Sequence, residues 1–324
     1  MSRRRTGLPK AMVALALAAA AACSAAAPLT PERVTFDSLD RDPMTGVPIR
    51  LTALRYTPDR DVATTGAVIA LHGCSGIFSS VKGREALPTL HYQAVAEMLV
   101  AQGYVVVFPD SFNPRGRREV CTLPLEGRTI TQVNRRLDAL GALAWLQSQP
   151  GVAPDRVALV GWSHGGGTVL ATDSARQPAV AAFHRDRALP FFATAIAFYP
   201  GCSGYTRPET YVPAAPLTIL IGAADDWTPA APCVALGAAA AVRGLPLVVN
   251  VYPDSYHGFD APAGALRVRT DVAGGVHPGQ GVTLAPNPVA RADAHARVRD
   301  ILRQSIGRPA DAPVRRHGAG YFTP

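Results

Sequence analysis

The apolar run Val157-Ala158-Leu159-Val160 passes without a break into Gly161-Trp162-Ser163-His164-Gly165, and this junction constrains the fold more than any other stretch of the chain. A buried strand that turns straight into a helix must bend sharply, with one residue held at the tip of the bend. Side chains two positions either side would strike neighbouring backbone, so those positions call for glycine. Gly161 and Gly165 meet that demand, which makes Ser163 the candidate reactive residue. The bare Gly-x-Ser-x-Gly spacing is a weak signal in a chain with 29 glycines, so its weight rests on what flanks it.

Three further apolar runs supply that context, in an order that matters. Gly66 to Leu71 ends in His72-Gly73-Cys74-Ser75-Gly76, a turn whose backbone can aim N–H groups at a developing oxyanion; the expected donors are the N–H groups of Cys74 and His164. Leu217 to Gly222 is followed by Asp225-Asp226-Trp227-Thr228-Pro229, and Leu247 to Tyr252 by Tyr256-His257-Gly258-Phe259. A serine hydroxyl is a poor nucleophile at neutral pH and needs a base, and an imidazole base needs a carboxylate to orient it. Ser163, Asp225 and His257 form the candidate catalytic set, with Asp226 the alternative acid. Such chemistry calls for neither metal nor organic cofactor. Trp162, Tyr199 and Trp227 are candidates for lining a substrate pocket, although burial against the sheet would also explain each. His72 reads as a turn-stabilising residue and the side chain of His164 as pointing away from Ser163. Arg115, Arg117 and Arg118 read either as carboxylate recognition or as a solvated loop. His91, His277, His295 and His317 show no ligand-like spacing and read as surface residues.

The intervening stretches alternate in type. Arg33 to Leu39 and Ile49 to Tyr56 read as an antiparallel opening pair, with turn signals at Asp42-Pro43 and Thr45-Gly46. Helices are expected over 88–102, 129–149 and 287–304, with 168–175 continuing the elbow helix. Strands interleaved with helices of this length predict an α/β fold, a mostly parallel central sheet with helices on both faces. Residues 261–286, rich in glycine and carrying Arg267 and Arg269, are expected to form a flap over the site. The expected organisation is a leader at 1–27, one catalytic domain at 28–306 and a mobile tail at 307–324.

Taken together, LHGCSG at 71–76, GYVVVFPDSFNPRG at 103–116, GWSHGG at 161–166, IGAADDWTP at 221–229 and YHGFDAP at 256–262 resemble the dienelactone hydrolase family of α/β-hydrolases, including its exported bacterial members. The resemblance runs from about Val47 to Arg303 and implies the order Ser, Asp, His for the catalytic set, with Asp225 as the acid. The chain departs from the family's namesakes at three places. Ser163 replaces their cysteine, Cys74 and Ser75 stand where a glutamate would control it, and Ala261 stands where an arginine would hold a dienelactone carboxylate. The resemblance therefore implies a small-molecule ester or lactone as substrate rather than dienelactone itself. A serine peptidase with the same residues, or a non-catalytic binding protein on the same fold, are the alternatives.

Composition bounds compartment and partners. Residues 3–10 are cationic, 11–22 apolar and 23–27 small, the form of an export signal. That places the protein in the periplasm or outside the cell, and Cys23 is a candidate lipid anchor. The formal charge of +8 drops to about +4 once Arg3, Arg4, Arg5 and Lys10 are assigned to the leader, and the remaining cations are scattered arginines apart from Lys82. This is no nucleic-acid signature. Without Cys23, four cysteines remain: Cys74, Cys121, Cys202 and Cys233. In the fold implied by the resemblance, the loops bearing Cys74 and Cys121 are neighbours, as are those bearing Cys202 and Cys233. Two disulfides at the rim of the site are expected, the alternative being four reduced buried thiols.

Overall fold

A computed structural model describes residues 29–58, 65–205, 207–277 and 279–307. The expected leader with Cys23, and the expected tail beyond Gly307, lie outside these residues. The chain opens with two antiparallel strands, β1 (Glu32–Arg41) and β2 (Pro48–Tyr56). It continues through β3 (Thr65–Leu71), α1 (Leu90–Val100), β4 (Val105–Asp110), α2 (Gln132–Gln147), β5 (Val152–Trp162), α3 (His164–Thr172) and α4 (Pro178–Arg185). Then follow β6 (Thr194–Phe198), β7 (Leu217–Gly222), α5 (Ala230–Val242), β8 (Leu247–Tyr252), a small hairpin of β9 (Arg267–Arg269) and β10 (Val282–Leu284), and α6 (Pro288–Ile306).

The sheet order is β1-β2-β4-β3-β5-β6-β7-β8, parallel from β4 through β8 and antiparallel at the β1–β2 and β2–β4 pairings. Side chains alternate between faces along a strand, so a run buried at every position must be covered on both sides. Residues 157–162 of β5 and 194–198 of β6 are such runs. The chain moves outward from β3 to β4 and then crosses back to β5 on the other side of β3, which makes the β3/β5 boundary a topological switch point. Crevices that admit ligands open at the carboxyl ends of strands at such a point.

Local sequence explains the helix boundaries. Thr131 and Asn134 form a reciprocal cap, the Asn134 N–H donating to Thr131 Oγ1 at 3.4 Å and the Thr131 N–H to Asn134 Oδ1 at 3.2 Å. Helix α2 therefore begins at Gln132 instead of at the expected 129. Asn287 caps α6 with Pro288 in its first turn. The elbow helix starts at His164, directly after the turn, and ends at Thr172, short of the expected 175.

Candidate active site

Ser163 sits at the tip of the turn between β5 and α3 with φ 55° and ψ −116°. A non-glycine residue avoids this region because its Cβ crowds the backbone, so the conformation costs on the order of 1–3 kcal/mol and must be held by its surroundings. The Ser163 N–H donates to Phe198 O at 2.9 Å, and the Gly167 N–H donates to Ser163 O at 2.8 Å. The flanking glycines are steric necessities: a Cβ on Gly161 would meet the Gly165 carbonyl, and one on Gly165 the Leu71 carbonyl. The turn after β3 passes so close that a Cβ on Gly73 would lie 3.5 Å from Ser163 Cβ.

Ser163 Oγ lies 2.9 Å from His257 Nε2, and His257 Nδ1 lies 2.8 Å from Asp225 Oδ2. With Nδ1–H donating to the carboxylate, Nε2 presents a lone pair to the serine hydroxyl. Asp225 is itself fixed: its Oδ1 accepts the N–H groups of Trp227 at 2.9 Å and Thr228 at 2.8 Å, and Thr228 Oγ1 lies 3.0 Å from Oδ2. The three residues come from the ends of β5, β7 and β8, and both His257 and Asp225 are buried. Tyr199 (ring centroid 4.6 Å away) and Trp227 (4.8 Å) pack against the His257 ring. Tyr199 also has a left-handed backbone, φ 36°, and Thr228 Oγ1 lies 3.1 Å from its carbonyl oxygen.

His164 opens α3, so its N–H has no carbonyl a turn earlier within the helix. Cys74 lies in the turn closed by the Gly76 N–H on Gly73 O at 3.2 Å, and its carbonyl accepts the Val120 N–H at 2.8 Å. A disulfide joins Cys74 to Cys121 and a second joins Cys202 to Cys233. His72 is fully buried, its Nδ1 2.8 Å from Gly73 O and its Nε2 accepting the Ser111 N–H at 3.3 Å. Burial, reinforced by the nearby Arg135 charge, holds its pKa well below the usual histidine value. The His164 ring turns away from Ser163 to accept from Arg135 Nη1 at 2.8 Å. Arg135 is itself wholly buried, over the Phe112 ring, with its pKa lowered by burial to about 10.

Asp226 does not approach His257. Its Oδ1 accepts the Thr283 N–H and its Oδ2 the Thr283 hydroxyl, both at 2.7 Å, which ties β10 to the end of β7. Arg115 is likewise away from the site, forked onto Asp138 at 2.8 and 2.9 Å and onto Asp40 at 2.8 Å. Arg118 donates to the carbonyls of Ser79 and Glu85, and Arg117 is exposed. Trp162, Tyr199 and Trp227 all line a cavity of about 430 Å³ that reaches Ser163 and His257. Residues 261–286 close one side of it through Ala261, Leu266 and Leu284, the last paired with His257 by an isolated bridge.

Sequence reasoning missed Asp260. This fully buried carboxylate accepts from Trp162 Nε1 at 2.8 Å and from the Tyr199 hydroxyl at 2.7 Å, and so holds two of the cavity's aromatic walls. The surface reading of His91 and His295 is corrected with it: their Nε2 atoms lie 3.8 and 4.0 Å from Asp260 Oδ2, and His295 is buried. Burial lowers both pKa values, that of His295 to about 4. The available signal was the position of Asp260 three residues beyond His257 on the same tight turn, but its partners come from β5, β6, α1 and α6. Among the described residues, no group of three or more His, Cys, Asp or Glu is placed to hold a metal ion. None of their helices is long and apolar enough to cross a membrane.

The model of the dienelactone hydrolase family matches residues 53–306. No curated protein matches the chain. Among solved structures, a dienelactone hydrolase-like promiscuous phosphotriesterase from metagenomic libraries superposes with a TM-score of 0.56 at 15% identity, over 86% of this chain and 100% of that one. Thermogutta terrifontis esterase 2, phosphorylated by paraoxon, gives 0.55 at 16% identity over 85% and 94%. At these identities the likeness is one of fold. The family match covers most of the chain, including every strand of the main sheet from β3 onwards. The chain belongs to the dienelactone hydrolase family and is a hydrolase of the α/β-hydrolase fold.

Proposed function

We propose that this chain is an exported serine hydrolase that cleaves a carboxylic ester or lactone through an acyl-enzyme on Ser163. The observation that carries the reading is the unbroken relay from Ser163 Oγ to His257 Nε2 at 2.9 Å and from His257 Nδ1 to Asp225 Oδ2 at 2.8 Å. As Oγ bonds to the acyl carbon, its proton passes to His257 Nε2, and Asp225 stabilises the imidazolium and keeps the ring in place. The carbonyl oxygen becomes an oxyanion that accepts from the N–H groups of Cys74 and His164, each donor contributing about 3 kcal/mol to the barrier reduction. Collapse breaks the bond to the alcohol oxygen, which takes the proton from Nε2. Water then gives a proton to the same nitrogen as it attacks the acyl carbon; collapse breaks the bond to Ser163 Oγ, which takes the proton back from Nε2, and the acid is released. In a lactone the alcohol stays attached to the acyl chain throughout and leaves with it as a hydroxy acid.

The two disulfides support an oxidising compartment, in keeping with the export signal expected at residues 1–27 and with Cys23 as a possible lipidation point. The test is hydrolysis of a short p-nitrophenyl ester and a small lactone panel by purified, oxidised protein beside Ser163→Ala. Loss of about a million-fold in kcat is expected from the variant. An active Ser163→Ala would overturn the serine mechanism, and a folded wild type inert towards every ester and lactone would favour a binding protein or a peptidase.

A further inference from the structure

Ser163 stands between two cavities, not at the foot of one. The first, of about 430 Å³, has Tyr92, Trp162, Tyr199, Leu266, Leu284 and Pro286 among its walls. The second, of about 500 Å³, opens on the other side of Trp227, where Leu125, Pro229 and Val276 stand beside Arg128, Gln132 and Ser203. Apolar groups make up most of both walls, and the second is the more polar of the two by its guanidinium, amide and hydroxyl. Ser163, Cys74 and Trp227 belong to both, so the two spaces meet at the nucleophile and one oxyanion turn.

The reacting groups are divided unequally between them. His257 lines only the apolar cavity, whereas His164 lines only the polar one. The tetrahedral intermediate must place its leaving oxygen within hydrogen-bond reach of the imidazolium Nε2, because that nitrogen returns the proton as the bond to the alcohol breaks. The alcohol therefore departs from the wall that His257 forms, and the acyl substituent lies on the opposite side of the acyl carbon.

We propose, resting on the acyl-enzyme reading above, that the apolar cavity holds the alcohol half of the substrate and the polar cavity the acyl half. The substrate class that fits is an ester of an apolar or aromatic alcohol with an acid bearing an oxygen acceptor. The polar cavity offers donors to such an acceptor in the Gln132 side-chain amide, the Ser203 hydroxyl and the Arg128 guanidinium. Two of the guanidinium nitrogens already hold the carbonyls of Cys121 and Leu123, which fixes the orientation of the group.

Kinetics separates the two halves, since the alcohol has left before deacylation begins and the acyl group is present in both steps. Two variants narrow one cavity each. Ala265→Trp adds bulk at an exposed wall of the apolar cavity, and Gly204→Trp does so in the polar one, where a Cβ meets nothing within 4 Å. Acylation and deacylation rates are measured by stopped flow for methyl, hexyl and benzyl esters of methoxyacetic acid and for the same esters of hexanoic acid. Wild type should favour 2-phenylethyl methoxyacetate over its reversed isomer, 2-methoxyethyl phenylacetate, by about tenfold or more. Ala265→Trp should slow acylation by the hexyl and benzyl esters about tenfold, with deacylation of the shared acyl-enzyme independent of which alcohol has departed. Gly204→Trp should slow deacylation and alter acid preference whatever the alcohol. The exchanged pattern, with Ala265→Trp governing deacylation and Gly204→Trp governing alcohol preference, would overturn the assignment. So would equal rates for the two isomeric esters. Failure of the underlying reading gives a different signature, a Ser163→Ala variant that still turns over or a wild type that forms no acyl-enzyme.

Discussion

The elbow around Ser163 and the excursion from Ala261 to Pro286 border the same cavity but are built in opposite ways. At the elbow, glycines allow backbone to touch backbone, and the strained Ser163 is held between the end of β6 and the first turn of α3. The excursion leaves Leu266 and Val268 more than half exposed. It is moored at a few points, with Asp226 on Thr283, the Val276 N–H on Asp226 O, and Trp227 Nε1 on Ala273 O. The groups proposed to react stand at sheet ends, and much of the cavity wall beside them stands on an exposed loop. Positional precision is needed where bonds break, and adaptability suffices where the substrate is merely accommodated.

The widest gap between the regions should come from the relay. Asp225→Asn keeps the shape but removes the charge that stabilises the imidazolium, and kcat should fall about 10⁴-fold while the melting temperature changes little. A loss below tenfold would mean that the carboxylate is not part of the reaction. Gly165→Ala tests the elbow's packing. The added Cβ meets the Leu71 carbonyl, so stability should drop by about 3 kcal/mol or more, read as a shift in the urea midpoint. Wild-type stability would show that the elbow relaxes as freely as the loop.

A pH effect should separate the regions next, because the buried histidines lie under the elbow and the aromatic wall. His72, His91, His164 and His295 all have pKa values lowered by burial from 6.5, that of His295 to about 4. The unfolded chain therefore binds protons first as pH falls. The contribution of each ring is fully present above pH 6.5 and is lost as pH falls below it, for His295 down to about 4, so the urea midpoint at pH 5 should lie below that at pH 7.5. An unchanged midpoint would contradict the burial of these rings. The smallest effect is expected from Asp226→Ala, which unties β10: preference between bulky and small esters should shift about threefold, with labelling of Ser163 by a small phosphonate near the wild-type rate. A collapse of that labelling would place Asp226 in the support of the nucleophile.

Much of the site was legible because its groups follow strand ends in the chain. Ser163, Asp225 and His257 each stand within a few residues of an apolar run, and local sterics single out the glycines beside Ser163. Asp226 differs from Asp225 by one position and no local rule separates them; what does is Thr283, far along the chain, which claims the second carboxylate. The three arginines at 115–118 had the composition of an anion site, yet Arg115 is occupied by Asp40 and Asp138. Asp260, His91 and His295 carry no mark in the sequence of their meeting around Trp162.

What the amino-acid order determined by itself is the series of strands, turns and helices and the identity of the residues at the strand ends, because these follow from interactions between near neighbours: apolar periodicity, caps and the steric demand for glycine. Only the tertiary structure decided which carboxylate faces the imidazole, which arginines are already satisfied, and that Ser163 lies between two cavities. Those outcomes depend on contacts between residues distant in sequence, whose distances are fixed only when the strands have taken their order in the sheet.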